Sequence, residues 1–183
     1  AGTGSIDLAM LVVAADEGVM PQTREHLAML ELYGIRHGLI ALNKIDKVEA
    51  DWLDLVEADI RTEVQNTFLA QAPVCRVSAA TGQGIQELLA VLRRLAETVP
   101  ARDRQGPFRM WIDRVFNVKG HGLVVTGSAL TGSVSLGDSL ALYPRGQEVR
   151  VRGLEWHDRK VEKICAGQRA ALNLAGVEQE EVT

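Results

Sequence analysis

Cysteine is scarce in this 183-residue sequence: only Cys75 and Cys165 occur, 90 positions apart and in no C-x-x-C. That spacing excludes a zinc site built from cysteines and gives no disulfide framework. Long hydrophobic runs are missing too. The longest, Leu8 to Ala15, falls far short of the roughly 20 residues that cross a bilayer. No basic segment precedes it, so it is not a signal peptide either, and the chain is expected to be cytoplasmic, with no membrane partner. Neither charge sign dominates: 20 Lys and Arg stand against 24 Asp and Glu, for a net charge of -4. Such mild acidity argues against indiscriminate nucleic-acid binding while leaving room for a local basic patch. Aromatic residues make up only 4%, whereas apolar residues reach 46% and charged ones 24%. The length allows one or two domains, each with enough apolar residues for a core, and the composition is not that of a disordered chain.

Two halves differ in their periodicity. Leu8 to Ala15 is apolar on both faces, as a central parallel strand must be. Pro21 suits the first turn of a helix running through Tyr33 and ended by Gly34. Leu39 to Leu42 and Val74 to Val77 read as further short strands. Trp52, Val56, Ile60, Val64 and Phe68 draw one stripe along a second helix, and Ile85, Leu88, Leu89, Leu92 and Leu95 stripe a third. This alternation means βαβ units, in which ligands bind at the loops after the strands. Thr98 to Pro107 reads as a linker. Beyond it the period becomes two, in Phe108 to Asp113 and again in Glu148 to Arg152, with glycines spaced for strand turns. The expected fold class is therefore α/β plus β, a parallel α/β domain over 1–100 followed by a small β-barrel over 106–183.

Asn43-Lys44-Ile45-Asp46 follows the second strand directly. A carboxylate at Asp46 can accept hydrogen bonds from the ring N–H and exocyclic amine of guanine, whereas adenine lacks that donor pair. A mismatched base would leave the carboxylate unpaired, at a cost of roughly 1–3 kcal/mol. Asn43 can brace the loop, and the aliphatic stem of Lys44 can cover the ring face. The third strand ends in Ser78-Ala79-Ala80-Thr81, where backbone N–H groups, those of Ser78 and Ala79 among them, can meet the guanine carbonyl. The tetrapeptide alone is also what an ordinary strand-end turn uses. Two such motifs at successive strand ends make the guanine reading specific.

These residues resemble the guanine-reading elements of GTPases. Asp16 to His26 is similar to a segment of translational GTPases, and Gly122 to Gly127 with Gly132 to Asp138 resembles the second-domain barrel of the elongation factor Tu group. Within that group Ile112 to Gly122, Val149 to Leu154 and Ala166 to Gly176 resemble the selenocysteine-specific elongation factors. The resemblance implies GTP and GDP as ligands, with magnesium in an intact parent. It implies as partners selenocysteinyl-tRNA, the ribosome, and an mRNA hairpin read by a domain outside this sequence. No G-x-x-x-x-G-K-[ST] occurs in the 183 residues, and the switch segments of the group are not found either. The sequence is therefore expected to be an internal piece of a longer factor, its second domain short of a closing strand, and inactive in GTP hydrolysis by itself.

In this group the second domain holds the aminoacylated 3′ end of tRNA. Asp113 matches the position of an acidic residue that meets the free amine of the aminoacyl group, and Arg169 matches a position that marks the selenocysteine subfamily. A selenol ionises near neutral pH and a serine hydroxyl does not, so a fixed arginine favours selenocysteine over serine. His121 is a second candidate donor there. The residues alone equally allow Arg169 to be a solvated strand-end arginine and His121 a turn residue. Arg150, Arg152, Arg159, Lys160 and Lys163 form the densest basic cluster, a solvated face or a tRNA-backbone contact. Two other readings stay open: a factor carrying ordinary elongator or initiator tRNA, and a non-enzymatic module that binds tRNA or protein.

Overall fold

The computed structural model describes residues 6–118, 122–177 and 181–182. They divide into two units, Ile6–Pro100 and the residues from Ala101 onward.

In the first unit β1 (Ala9–Ala14), β2 (Gly38–Asn43) and β3 (Val74–Arg76) form a parallel sheet in the order β1-β2-β3. Three helices, α1 (Pro21–Leu32), α2 (Ala50–Val64) and α3 (Ile85–Thr98), connect and follow the strands. One sheet face joins Leu11, Val13, Ile40 and Leu42 to Leu27 of α1 and to Leu53, Val56, Ile60 and Val64 of α2. The other joins Leu39, Ala41 and Cys75 to Leu88 and Val91 of α3. Parallel strands need both faces covered, and β2 has that cover. β1, although apolar on both faces as its sequence run requires, has it on one face only. It lies at the sheet edge, with Met10 45% and Val12 53% exposed, because the α3 cluster includes residues of β2 and β3 but none of β1.

The helices keep most of their expected stripes, but in α3 Leu89 is exposed and Val91 is buried instead. α1 begins at Pro21, where the missing N–H costs nothing, and Gly34 turns the chain out of it at φ 73°. Val56, Ile60 and Val64 are buried as the spacing of α2 requires, but Trp52 is exposed and donates its indole N–H to the Ala15 carbonyl at 2.8 Å. That bond ties the start of α2 to the end of β1.

The second unit is antiparallel. Its strands are β4 (Arg109–Val118), β5 (Gly122–Thr131), β6 (Ser133–Ser135), β7 (Ser139–Leu142), β8 (Gln147–Trp156), β9 (Arg159–Lys160), β10 (Lys163–Cys165) and β11 (Arg169–Ala175). Six of them make one sheet, ordered β4-β5-β11-β8-β7 with β9 on β8, and β6 pairs with β10. Alternate residues such as Leu123, Val125, Val149, Val151, Leu172 and Leu174 build a single core. The segment read as a linker is anchored to this unit from Asp103, whose carbonyl accepts the Gly132 N–H at 2.8 Å. Thr131 Oγ1 donates to the Pro107 carbonyl at 2.7 Å.

Candidate functional site

The first candidate site stands at the carboxyl ends of the three parallel strands. Asn43 closes β2, and its side-chain oxygen accepts two backbone N–H groups, from Lys44 at 2.8 Å and from Ala79 at 3.0 Å. One amide thereby joins the Asn43–Asp46 loop to the Ser78–Thr81 loop. Ser78 is fully buried, with its N–H on the Gln83 carbonyl at 2.9 Å and its hydroxyl accepting the Thr81 N–H at 3.1 Å. The N–H groups of Ser78 and Ala79, expected from the sequence to face a base carbonyl, are therefore engaged within the protein, Ala79 across to Asn43 and Ser78 inside its own loop. Among the described residues the Ala80 N–H has no partner, and it is the donor this turn leaves unused. Asp46 lies in a single 3-10 turn, Ile45–Lys47, anchored by the buried Ile45. Its carboxylate is exposed rather than buried and has no side-chain partner among the described residues.

Lys44 adopts the left-handed conformation, φ 64°, which is costly for a residue with a side chain. Its ammonium meets Asp16 Oδ1 at 3.0 Å and Glu17 Oε1 at 2.8 Å, and Lys47 reaches Asp16 Oδ2 at 3.2 Å. Glu17, then Asp16, raise the Lys44 ammonium above the ordinary lysine range. Lys44 in turn holds the Asp16 carboxyl below the usual carboxylate range. Asp16 and Glu17 were not singled out for a role from the sequence. The available signal was their position directly after β1, at the ligand-binding end of a parallel sheet.

The second candidate site lies on the outward face of the antiparallel unit. The β4–β5 register slips between Ile112 and Arg114, so Asp113 is the extra residue of a β-bulge. The bulge turns its carboxylate onto Thr126 of β5, whose hydroxyl donates at 2.9 Å, and onto Arg169 at the start of β11. Arg169 grips it through both guanidinium nitrogens, the second bond at 3.0 Å. The Asp113 side chain is only 16% exposed, the Arg169 side chain 55%. The guanidinium, helped by Thr126, holds the Asp113 carboxyl below the usual range against the opposing effect of burial. The two residues assigned to separate ends of a cargo thus begin as partners of one another. On the same outward rows of β5 and β11 runs a groove of about 580 Å³, lined by Val124, Ala171 and Asn173 and edged by Glu155 and Lys160. His121 lies outside the described residues.

Residues 1–98 match the model of the elongation factor Tu GTP binding domain, more than half of the chain. The chain belongs to this family. Over 99% of its length it is 47% identical to the selenocysteine-specific elongation factor of Desulfomicrobium baculatum and 45% identical to that of Escherichia coli (strain K12). These matches take up 28% and 29% of the relatives' own lengths, so the chain spans less than a third of either. A crystal structure of bacterial selenocysteine-specific elongation factor EF-Sec superposes with TM-score 0.91 at 36% identity, covering 99% of this chain and 31% of that one. The elongation factor SelB of Methanococcus maripaludis, solved with the GTP analogue GppNHp, gives TM-score 0.89 at 30% identity, over 99% of this chain and 40% of that one. For this elongation factor Tu family member, the subfamily resemblance seen in the sequence extends through both units.

Proposed function

We propose that this chain supplies the guanine-reading loops and the cargo-binding barrel of a GTP-dependent elongation factor that delivers selenocysteinyl-tRNA to the ribosome. In the first unit the Asp46 carboxylate takes the guanine N–H pair, the Ala80 N–H faces its carbonyl, and the Lys44 stem covers the ring. Asn43 and Ala79 join the two loops, and Ser78 braces the second of them. The second unit is the translation-factor barrel, and its groove is of a size for the terminal nucleoside of the tRNA.

The observation that carries the cargo reading is the Asp113–Arg169 pair. Selenocysteine esterified to tRNA presents a protonated amine and a selenolate, two opposite charges on one small group. Such a cargo can exchange partners with the internal pair, the amine going to Asp113 and the selenolate to Arg169, so that no charge is left alone. Serine offers only the amine. Its binding at Asp113 breaks the internal pair and gives Arg169 nothing in return, which is discrimination by an unpaired charge.

The test uses the full-length Desulfomicrobium baculatum relative with its 181-residue match replaced by these residues. In a tRNA-protection assay, Arg169→Ala should lower selenocysteinyl-tRNA binding by about 1.5–3 kcal/mol, the range for hydrogen bonds to charged groups. Seryl-tRNA binding should hold or rise, since Asp113 no longer has a competitor for the amine. Equal losses for both cargoes, shrinking as salt is raised, would instead make Arg169 a phosphate contact.

A further inference from the structure

Lys44 is held from three directions. Its N–H is fixed by Asn43, its backbone sits in a conformation that L-residues adopt only when the surroundings enforce it, and its ammonium is gripped by two carboxylates 27 and 28 positions earlier in the chain. Asp16 and Glu17 follow β1, Lys44 follows β2, and the two strands are in parallel register from Ala9 against Gly38 to Ala14 against Asn43. The register thus brings the acidic pair and the lysine to the same end of the sheet. Ala15 between them is pinned twice, by its N–H on the Asn43 carbonyl at 2.8 Å and by its carbonyl under the Trp52 indole at 2.8 Å. The acidic pair therefore stands on a fixed platform, and Lys44 bends to meet it.

We infer that Asp16 and Glu17 are positioning residues for guanine-nucleotide retention: they latch the Lys44 ammonium so that its aliphatic stem stays extended over the base held by Asp46. This rests on the guanine reading proposed above. A free lysine side chain loses rotamer entropy when it settles on a base, and a latched one has already lost it. The latch acts on residence time, because a stem already in place must be displaced before the base can leave. It does not set base identity, since neither carboxylate is the group that Asp46 presents to the guanine edge. Lys47 shares Asp16 but not Glu17, so Glu17 is the partner dedicated to Lys44.

The experiment measures dissociation of fluorescent methylanthraniloyl-GDP from the same full-length chimaera by stopped flow, in wild type, Asp16→Asn, Glu17→Gln, Lys44→Ala and the Glu17→Gln/Lys44→Ala double variant. Glu17→Gln should speed release about two- to fivefold, in keeping with a partly exposed ion pair, and Glu17→Asp should restore part of the loss. In the Lys44→Ala background Glu17→Gln should change nothing further, because its whole effect passes through that side chain. The ratio of GDP to xanthosine diphosphate affinity should stay as in wild type for Asp16→Asn and Glu17→Gln, and fall for Asp46→Asn. Unchanged release in Asp16→Asn and Glu17→Gln while Asp46→Asn inverts base preference would overturn the latch and leave the guanine site standing. An undiminished Glu17→Gln effect without Lys44 would overturn it as well. A wild-type chimaera that shows no preference for guanine, or an Asp46→Asn that keeps it, would remove the guanine reading and the latch with it.

Discussion

Asp113 and Arg169 are 56 residues apart in sequence and share one ion pair, so the state of each is set by the other. The carboxyl is held low chiefly by the guanidinium, with burial pushing the opposite way. Replacing Arg169 with Ala removes the largest lowering influence and leaves burial opposed only by the Thr126 bond and the nearby Arg114 charge. The Asp113 pKa should therefore rise toward the ordinary aspartate value, as read from its side-chain carboxyl resonance in an NMR titration. The sign of the stability linkage follows. A carboxyl depressed in the folded state stabilises above the unfolded pKa, and that contribution drains away as pH falls through the folded value. The wild-type antiparallel unit should thus lose a stabilising increment only on acidification below the ordinary aspartate range, and Arg169→Ala should lack that increment. An Asp113 resonance with the same midpoint in both proteins would show that the pair does not persist in solution.

The pair exists because of a bulge, and the bulge depends on a glycine. A Cβ on Gly127 would lie 2.0 Å from the Trp111 carbonyl oxygen on the facing strand, a contact no backbone tolerates unchanged. Gly127→Ala must push β4 away from β5 beside Asp113, with an overpacking cost of about 1–3 kcal/mol. Urea denaturation should show that loss, and the Asp113 titration should move as it does in Arg169→Ala. Unaltered stability would mean that β4 slides freely here. Such features mark where sequence reading stops. The alternation from Phe108 to Asp113 was legible, because inward and outward residues differ in polarity. A one-residue register slip leaves no trace in that pattern, and neither does a partner that lies two strands away. The two strand-end loops were legible as motifs, since each is a run of four consecutive residues. Their internal wiring, Asn43 to Ala79 and Lys44 to Asp16 and Glu17, joins separate strand ends and emerged only once the parallel register was known. The α2 stripe was read correctly at Val56, Ile60 and Val64. Trp52 left it because an indole N–H requires an acceptor and the Ala15 carbonyl supplied one.

An apolar run tells how a strand can be covered, not whether it is. Leu8 to Ala15 is apolar on both faces, and β1 has one hydrogen-bonded neighbour and shows Met10 and Val12 to solvent among the described residues. β5, by contrast, lies between β4 and β11 and sends Leu123 and Val125 into a closed core. The two units should therefore differ in protection when the 183-residue chain is studied alone. Amides of Ala9–Ala14 that point away from β2 have no partner strand among the described residues, whereas Leu123–Ser128 of β5 is flanked by paired strands on both sides. Hydrogen exchange should open β1 first, and the flat apolar edge should favour association as concentration rises. Val12→Lys places a charge on the exposed face without touching the Leu11 and Val13 side, so it should suppress that association and leave the fold intact. Sedimentation velocity across a hundredfold concentration range, run beside exchange mass spectrometry, checks both. A concentration-independent monomer with equal protection of β1 and β5 would show that the open face of β1 is not a sticky one, and that one paired edge is enough to hold it.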